Sequence, residues 1–367
     1  MKVPSGCLPL NFIMKNKLIL LIIPIGLSIY SCQNKNQENG YNITISPEAG
    51  ANYKAGETVN VKVNYPAQLK ADSVVYLLDS MRFASKKDSS IVSLKTDTMP
   101  MGVRLITAKI YQDGKSHDAS TDIVLMAAKA PEELTYEVEH VFPHDTSAYT
   151  EGLMYQDGYL YESTGNYGHS SLRKVDLNTG KVVQIAKLAS KYFGEGISIV
   201  DKKIIQLTYQ EKVGFVYDKN TFKVLDVFNN NVGAEGWGMC FDGKKLYVDD
   251  GTNRIWLLNK ATYQQTGFID VYDDKGPINQ VNELEYINGN LYANVYTTDT
   301  ILMINPKTGA VLQRINMANL WPMSQRPANF DNEQNVLNGI AWDEKGKRMF
   351  VTGKKWPHLY QVGFKKN

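Results

Sequence analysis

The chain has 367 residues, of which 43% are hydrophobic and 21% charged, and its formal net charge is +2. This near-balance excludes a nucleic-acid binder built on a basic face and a disordered acidic tail, while the apolar fraction is that of a folded globular protein. The length suggests two or three domains, or one large domain with an appendage.

At the N-terminus, Lys15 and Lys17 precede an apolar run from Leu18 to Ile29, followed by Tyr30-Ser31-Cys32 and a polar stretch from Gln33 to Asn39. A basic patch, a short apolar core and a small residue before a cut make a secretory signal, and the run is too short for a comfortable transmembrane helix. With Cys32 following Ser31, residues 1–31 resemble a lipoprotein signal that leaves Cys32 as the lipidated first residue. The expectation is an exported protein anchored to the cell envelope through that lipid, with residues 32–40 as a polar linker. An uncleaved anchor helix is the alternative. Met14 is the better start, because Pro4 and Pro9 belong to no n-region. Beyond Cys32 only Cys240 remains, so an exported body must rely on a large core instead of disulfides. Cys240 lies in an apolar context and reads as packing.

Residues 41–130 read as short strands, including Tyr41–Ser46, Thr58–Tyr65, Ser73–Leu78, Arg104–Tyr111 and Asp122–Ala127, separated by turns such as Gln112-Asp113-Gly114. About seven such strands predict a small immunoglobulin-like β-sandwich. It holds no cluster of reactive residues and is expected to be a spacer or docking module. Ala130-Pro131-Glu132-Glu133 reads as the linker out of it.

From residue 134 onward the chain repeats. Four strand–turn–strand segments align on Asp176, Asp218, Asn259 and Asn305, at spacings of 42, 41 and 46 residues. A second family of strands starts at Leu160, Ile204, Leu246, Leu291 and Met349. A 40–50-residue unit of four short strands is a propeller blade, so residues 134–367 predict a five-bladed β-propeller and the whole chain an all-β fold. After Trp356 one strand, Leu359–Phe364, remains before the chain ends, and the orphan strand Thr135–Val141 is expected to complete the last blade and close the ring. A second sandwich is the competing arrangement.

Innermost strands of a propeller line its axis, so equivalent positions form rings. Counting back from each second strand places Glu151, Glu195, Trp237, Asn282 and Asn338 in one ring, four of them followed by glycine. Counting forward places Gly165, Tyr209, Gly251, Tyr296 and Lys354 in a partner ring. Five unlike residues suit an asymmetric small molecule better than a structural ring. A glutamate among aromatics has its charged form disfavoured and can shuttle protons near neutral pH. Lys354 and the asparagines can hold a developing oxyanion. His144, His169 and His358 are scattered and read as surface or hydrogen-bonded loop residues.

At these residues the sequence resembles the plant-type glutaminyl cyclotransferase family. The matching stretches include Tyr149-Thr150-Glu151-Gly152-Leu153, Tyr192-Phe193-Gly194-Glu195-Gly196, Glu235-Gly236-Trp237-Gly238, Asn282-Glu283-Leu284-Glu285-Tyr286 and Thr352-Gly353-Lys354-Lys355-Trp356-Pro357, in order over residues 136–364. The resemblance implies a five-bladed propeller that converts an N-terminal glutaminyl residue of a peptide to pyroglutamyl with loss of ammonia. It makes Glu195 the essential acid and Trp237, Asn282 and Lys354 pocket residues. Glu151 stands where plant members carry Gln, Tyr209 and Tyr296 where they carry Trp, and Tyr149 where they carry Phe. Glu195, Lys354 and Asn282 are thus the expected catalytic set. Glu151, Tyr149, Tyr209, Trp237, Tyr296 and Asn338 are the expected substrate-binding set. No metal or other cofactor is expected, and the propeller is expected to be monomeric, with N-terminal-Gln peptides as its partners and no nucleic acid. Two rivals remain: a non-catalytic peptide-binding propeller, and a lactonase-like enzyme in which Glu151, Asn282 and Asn338 ligate a divalent cation.

Overall fold

The computed structural model describes residues 41–366. The expected signal, the linker at 32–40 and Cys32 lie outside the described residues. No helix among the described residues is long and apolar enough to cross a membrane.

The fold is all-β. Its first part comprises β1 (Thr44–Ser46), β2 (Ala51–Lys54), β3 (Thr58–Asn64), β4 (Ser73–Leu78), β5 (Met81–Lys86), β6 (Val92–Lys95), β7 (Gly102–Gln112) and β8 (Lys115–Met126). They form a three-stranded sheet, β1-β3-β6, and a five-stranded sheet, β2-β8-β7-β4-β5. The alternation of Val59, Val61 and Val63 buries one face of β3 against Val74, Tyr76, Ile106, Ala108 and Ile110 of the other sheet, the two-residue period of a half-buried strand. Asp113 and Gly114 both take positive φ, which is what a two-residue hairpin turn between β7 and β8 needs. The strand expected at Asp122–Ala127 is the end of the long β8, which stops at Met126.

The expected linker is shorter than its composition suggests. Strand β9 (Glu132–Pro143) already begins at Glu132, and residues 132–134 run parallel to Gln313–Ile315. The rest of β9 pairs antiparallel with the last strand of the chain, from His358 to Lys366.

Between these, four-stranded sets follow one another. The first is β10 (Thr150–Gln156), β11 (Tyr159–Thr164), β12 (Ser171–Asp176) and β13 (Val182–Lys187); the second is β14 (Gly194–Val200), β15 (Lys203–Thr208), β16 (Val213–Asp218) and β17 (Val224–Asn229). The third is β18 (Met239–Phe241), β19 (Lys245–Asp249), β20 (Arg254–Asn259) and β21 (Gln265–Asp270). Next come β22 (Val281–Ile287), β23 (Asn290–Val295), β24 (Thr300–Ile304) and β25 (Val311–Asn316), joined through β9 to β28 (His358–Lys366), β27 (Arg348–Gly353) and β26 (Leu337–Asp343). The first strands pack in a closed, propeller-like circle: β10 on β14, β14 on β18, β18 on β22, β22 on β26 and β26 on β10. Each second strand starts one residue before the position expected from the sequence, a uniform offset that leaves the register between sets intact.

The turn after each third strand explains the repeated Asp or Asn. The Oδ1 atoms of Asp176, Asp218, Asn259 and Asn305 accept backbone N–H groups two or three residues on, at 2.8–3.3 Å, the local bond that makes these residues turn formers. The five-stranded N-terminal sheet and the segments flanking it rest on the third and fourth sets through Met101, Leu125, Ala127 and Tyr272, with Met101 N–H donating to the Thr308 carbonyl at 2.7 Å.

Candidate active site

The innermost strands share a local device. Pairing of β10, β14, β22 and β26 with their neighbours shifts register at Thr150/Gly152, Gly194/Ile197, Val281/Leu284 and Leu337/Ile340. Glu151, Glu195, Asn282 and Asn338 are each the second residue of their strand, so each sits on a bulge, the irregularity that re-aims a side chain at the end of a sheet. Glycine follows Glu151, Glu195 and Asn338, and also Trp237 at the equivalent position, and lets neighbouring strands crowd together. A Cβ on Gly196 would lie 2.5 Å from the Trp237 carbonyl oxygen, and one on Gly238 2.3 Å from that of Asn282.

A cavity of about 250 Å³ opens at this end of the circle, lined by Glu151, Glu195, Trp237, Asn282 and Lys354 together with Tyr149, Tyr209 and Tyr296. Asn338 is brought near but does not line it. Its Nδ2 donates to the Thr150 carbonyl at 2.9 Å and to Glu151 Oε2 at 3.3 Å, so it supports Glu151 from behind. Asn166, Phe193 and Gln334 also line the cavity and were not among the expected residues. Phe193 and Asn166 lie inside stretches that match the family, Phe193 in Tyr192–Gly196 and Asn166 directly after the ring position Gly165, but Gln334 comes from the long 317–336 connection, which has no counterpart in the repeat.

The glycines of the partner ring have a steric reason. A Cβ on Gly165 would fall 2.3 Å from Phe193 Cε1, and one on Gly251 2.6 Å from the Trp237 ring. Two aromatic rings occupy the space these positions vacate. Trp237 is then held at its edge, Nε1 donating to Glu235 Oε2 at 2.9 Å, and packs against Tyr296 with ring centroids 5.6 Å apart.

Lys354 Nζ lies 2.7 Å from both carboxylate oxygens of Glu151, with side-chain exposures of 5% and 3%. The ammonium also sits over the Tyr149 and Tyr296 rings, at 4.6 and 5.1 Å from their centroids, a placement the ring quadrupoles favour. Glu195 is 5% exposed. Its carboxyl is held well above the ordinary carboxylate range, first because burial removes its water and next because Glu151 repels its charge; Lys354 acts in the opposite direction. Burial raises Glu151 as well, against the pull of Lys354. The Tyr209 hydroxyl is pushed up to about 12, by burial and then by Glu235. Asn282 lines the cavity with its Oδ1 buried and unpartnered.

The histidines divide. His144 is buried, with Nδ1 2.7 Å from the Trp356 carbonyl and Nε2 2.9 Å from Glu162 Oε1. Both neighbours are acceptors, which calls for a doubly protonated ring. Burial opposes that charge, but Glu162 outweighs it and holds the imidazole above its usual range. This pair fastens the segment after Lys354 to β11. His169 is exposed in a loop and His358 begins β28. As for the cation-binding alternative, no set of three or more His, Cys or acidic residues among the described residues could hold a metal. Both Glu151 oxygens already face an ammonium.

Residues 106–364 match the family model described as glutamine cyclotransferase. The chain belongs to the glutamine cyclotransferase family. The match begins within β7, upstream of the motifs noted from residue 136. A glutaminyl-peptide cyclotransferase of Arabidopsis thaliana is 40% identical over 230 residues, 62% of this chain and 71% of that protein. The crystal structure of Myxococcus xanthus glutaminyl cyclase is similar at 30% identity with a TM-score of 0.59, covering 64% of this chain and 98% of that one. Both family members are matched over a share of this chain about as long as residues 134–366.

Proposed function

We propose that this chain converts N-terminal glutaminyl residues of peptides to pyroglutamyl with release of ammonia, using Glu195 as the proton shuttle. The observation that carries the assignment is a buried carboxyl, raised in pKa, in the same cavity as an ammonium already fixed by a second carboxylate. The substrate's neutral α-amine attacks its own γ-carboxamide carbon, forming the ring C–N bond. Ionised Glu195 takes a proton from that nitrogen and delivers one to the departing amide nitrogen as the second C–N bond breaks. Lys354 and the Asn282 amide stabilise the oxygen as negative charge develops on it. Trp237, Tyr209, Tyr296 and Tyr149 hold the side chain folded, which matters because orientation alone lowers an intramolecular barrier by several kcal/mol. Glu151 aims Lys354, and Asn338 holds Glu151.

The test is ammonia release and loss of one ammonia mass from a Gln-initiated peptide. Glu195→Gln is expected to lose at least ~100-fold in kcat with an unchanged circular dichroism spectrum. Near-normal ammonia release by that variant would remove Glu195 from the mechanism.

In this reading residues 134–367 are a five-bladed propeller closed by β9, preceded over residues 41–130 by an immunoglobulin-like sandwich that serves as spacer or docking module. The circle of five first strands supports the blade count, and the shared core of the two N-terminal sheets supports the sandwich. The protein is exported and tethered by a lipid on Cys32, a placement that labelled-palmitate incorporation and its loss in Cys32→Ser would test.

A further inference from the structure

At about 30 Å³ per water, the 250 Å³ cavity accepts one glutaminyl residue and not the peptide behind it. The rest of the substrate has to leave across the rim. A second depression, of about 670 Å³, adjoins the cavity through the shared lining residue Asn166. Its lining includes Lys187 at the end of β13, Lys355 beside the pocket lysine, Arg173, and His169, and it contains no carboxylate. Arg173 is already paired with Asp145 at 3.0 Å, so Lys187 and Lys355 are charges that the lining leaves uncompensated. Lys355 is tied to the pocket itself: its Nζ stands 5.7 Å from the centroid of the Tyr149 ring, which Lys354 also approaches. Thr146, Ser147 and Asn166 add groups able to hydrogen-bond a peptide chain.

From this placement we infer that the depression is a subsite for the residues following the glutamine, and that Lys187 and Lys355 select substrates with an acidic side chain there. This rests on the cyclotransferase reading of the adjacent cavity and names its substrate class. Both lysines are reachable by solvent, so the selection is moderate; exposed ion pairs change binding by small factors each, and two together give about a three- to ten-fold preference.

The experiment compares kcat/KM for Gln-Ala-Ala, Gln-Glu-Ala, Gln-Ala-Glu and Gln-Lys-Ala peptide amides on the full chain. The expected result is that one of the Glu peptides is cyclised three- to ten-fold faster than the Ala peptide and the Lys peptide more slowly. The Glu-to-Ala ratio should fall to one or below in Lys187→Glu/Lys355→Glu. If that variant does not fold, the parent's ratio at rising salt replaces it, since screening should compress the ratio toward one. Ready cyclisation of the Ala peptide with no advantage for either Glu peptide, or a ratio that neither charge reversal nor salt alters, overturns the subsite alone. Failure to cyclise any of the four overturns the cyclotransferase reading and the subsite with it.

Discussion

Replacing Lys354 by Met tests the electrostatic design of the pocket apart from its chemistry. With Nζ at 2.7 Å from both Glu151 oxygens, the attraction is ~6 kcal/mol at an effective dielectric of ~20. Much of that offsets the cost of taking two ions out of water, which amounts to several kcal/mol each. Removing one partner leaves Glu151 buried and unpaired, and such losses run to ~3–5 kcal/mol, a large part of the ~5–15 kcal/mol by which domains are usually stable. Urea unfolding at pH 7 should show a lower midpoint with an unchanged slope. The penalty depends on pH. Without Lys354 the folded-state pKa of Glu151 rises further, so the penalty is greatest above that pKa. It fades as pH falls toward the unfolded glutamate value of ~4.3. Glu151→Gln/Lys354→Met, which removes both charges at similar volume, should recover most of the stability while remaining nearly inactive. A double variant no more stable than Lys354→Met, or a single variant within ~1 kcal/mol of the parent, would refute the argument.

Other consequences are open to direct measurement. Glu151→Gln removes the charge that repels Glu195 and leaves Lys354 undivided, so both changes favour ionised Glu195; the acid limb of kcat/KM should move to lower pH, and a move upward would contradict the assigned roles. Gly251 has φ +76 and a Cβ there would meet the Trp237 ring at 2.6 Å, so Gly251→Ala should displace the indole and lower kcat/KM by about ten- to a hundred-fold, detectable also as altered tryptophan fluorescence. Glu283 accepts the Leu153 and Ile340 N–H groups at 3.0 and 2.8 Å, bridging three first strands. Glu283→Gln turns one acceptor into a donor facing an N–H and should cost about 1–3 kcal/mol in denaturant unfolding. Cys240 is fully buried and its thiol is raised by that burial, so it should resist thiol reagents until the protein unfolds.

Much of the site could be read from the chain because the repeat carries it. Glu151, Glu195, Asn282 and Asn338 hold the same position in equivalent strands, and a bulge there, followed by glycine in all but the Asn282 strand, turns that position toward the axis. A one-residue offset in every strand start did no harm, since it was the same offset throughout. The exceptions are residues whose placement no repeat encodes. Gln334 reaches the cavity from a connection found once, and His144 is buried because a distant glutamate and carbonyl receive both its ring nitrogens. Asn338 keeps the register of its ring, yet its amide is occupied by the Thr150 carbonyl and Glu151 and therefore stays out of the cavity.

Alternation, turn residues and period are local properties, and from them the amino-acid sequence alone determined an all-β chain, the order of its strands and which residues are equivalent. What only the tertiary structure decided is which equivalents touch. Lys354 meets Glu151 across 203 positions of chain, and that contact exists because the strand entering at Glu132 is captured by the last one. No short-range pattern specifies a bond that forms only when the circle closes, and the downward pull of Lys354 on the Glu151 and Glu195 carboxyls follows from that closure.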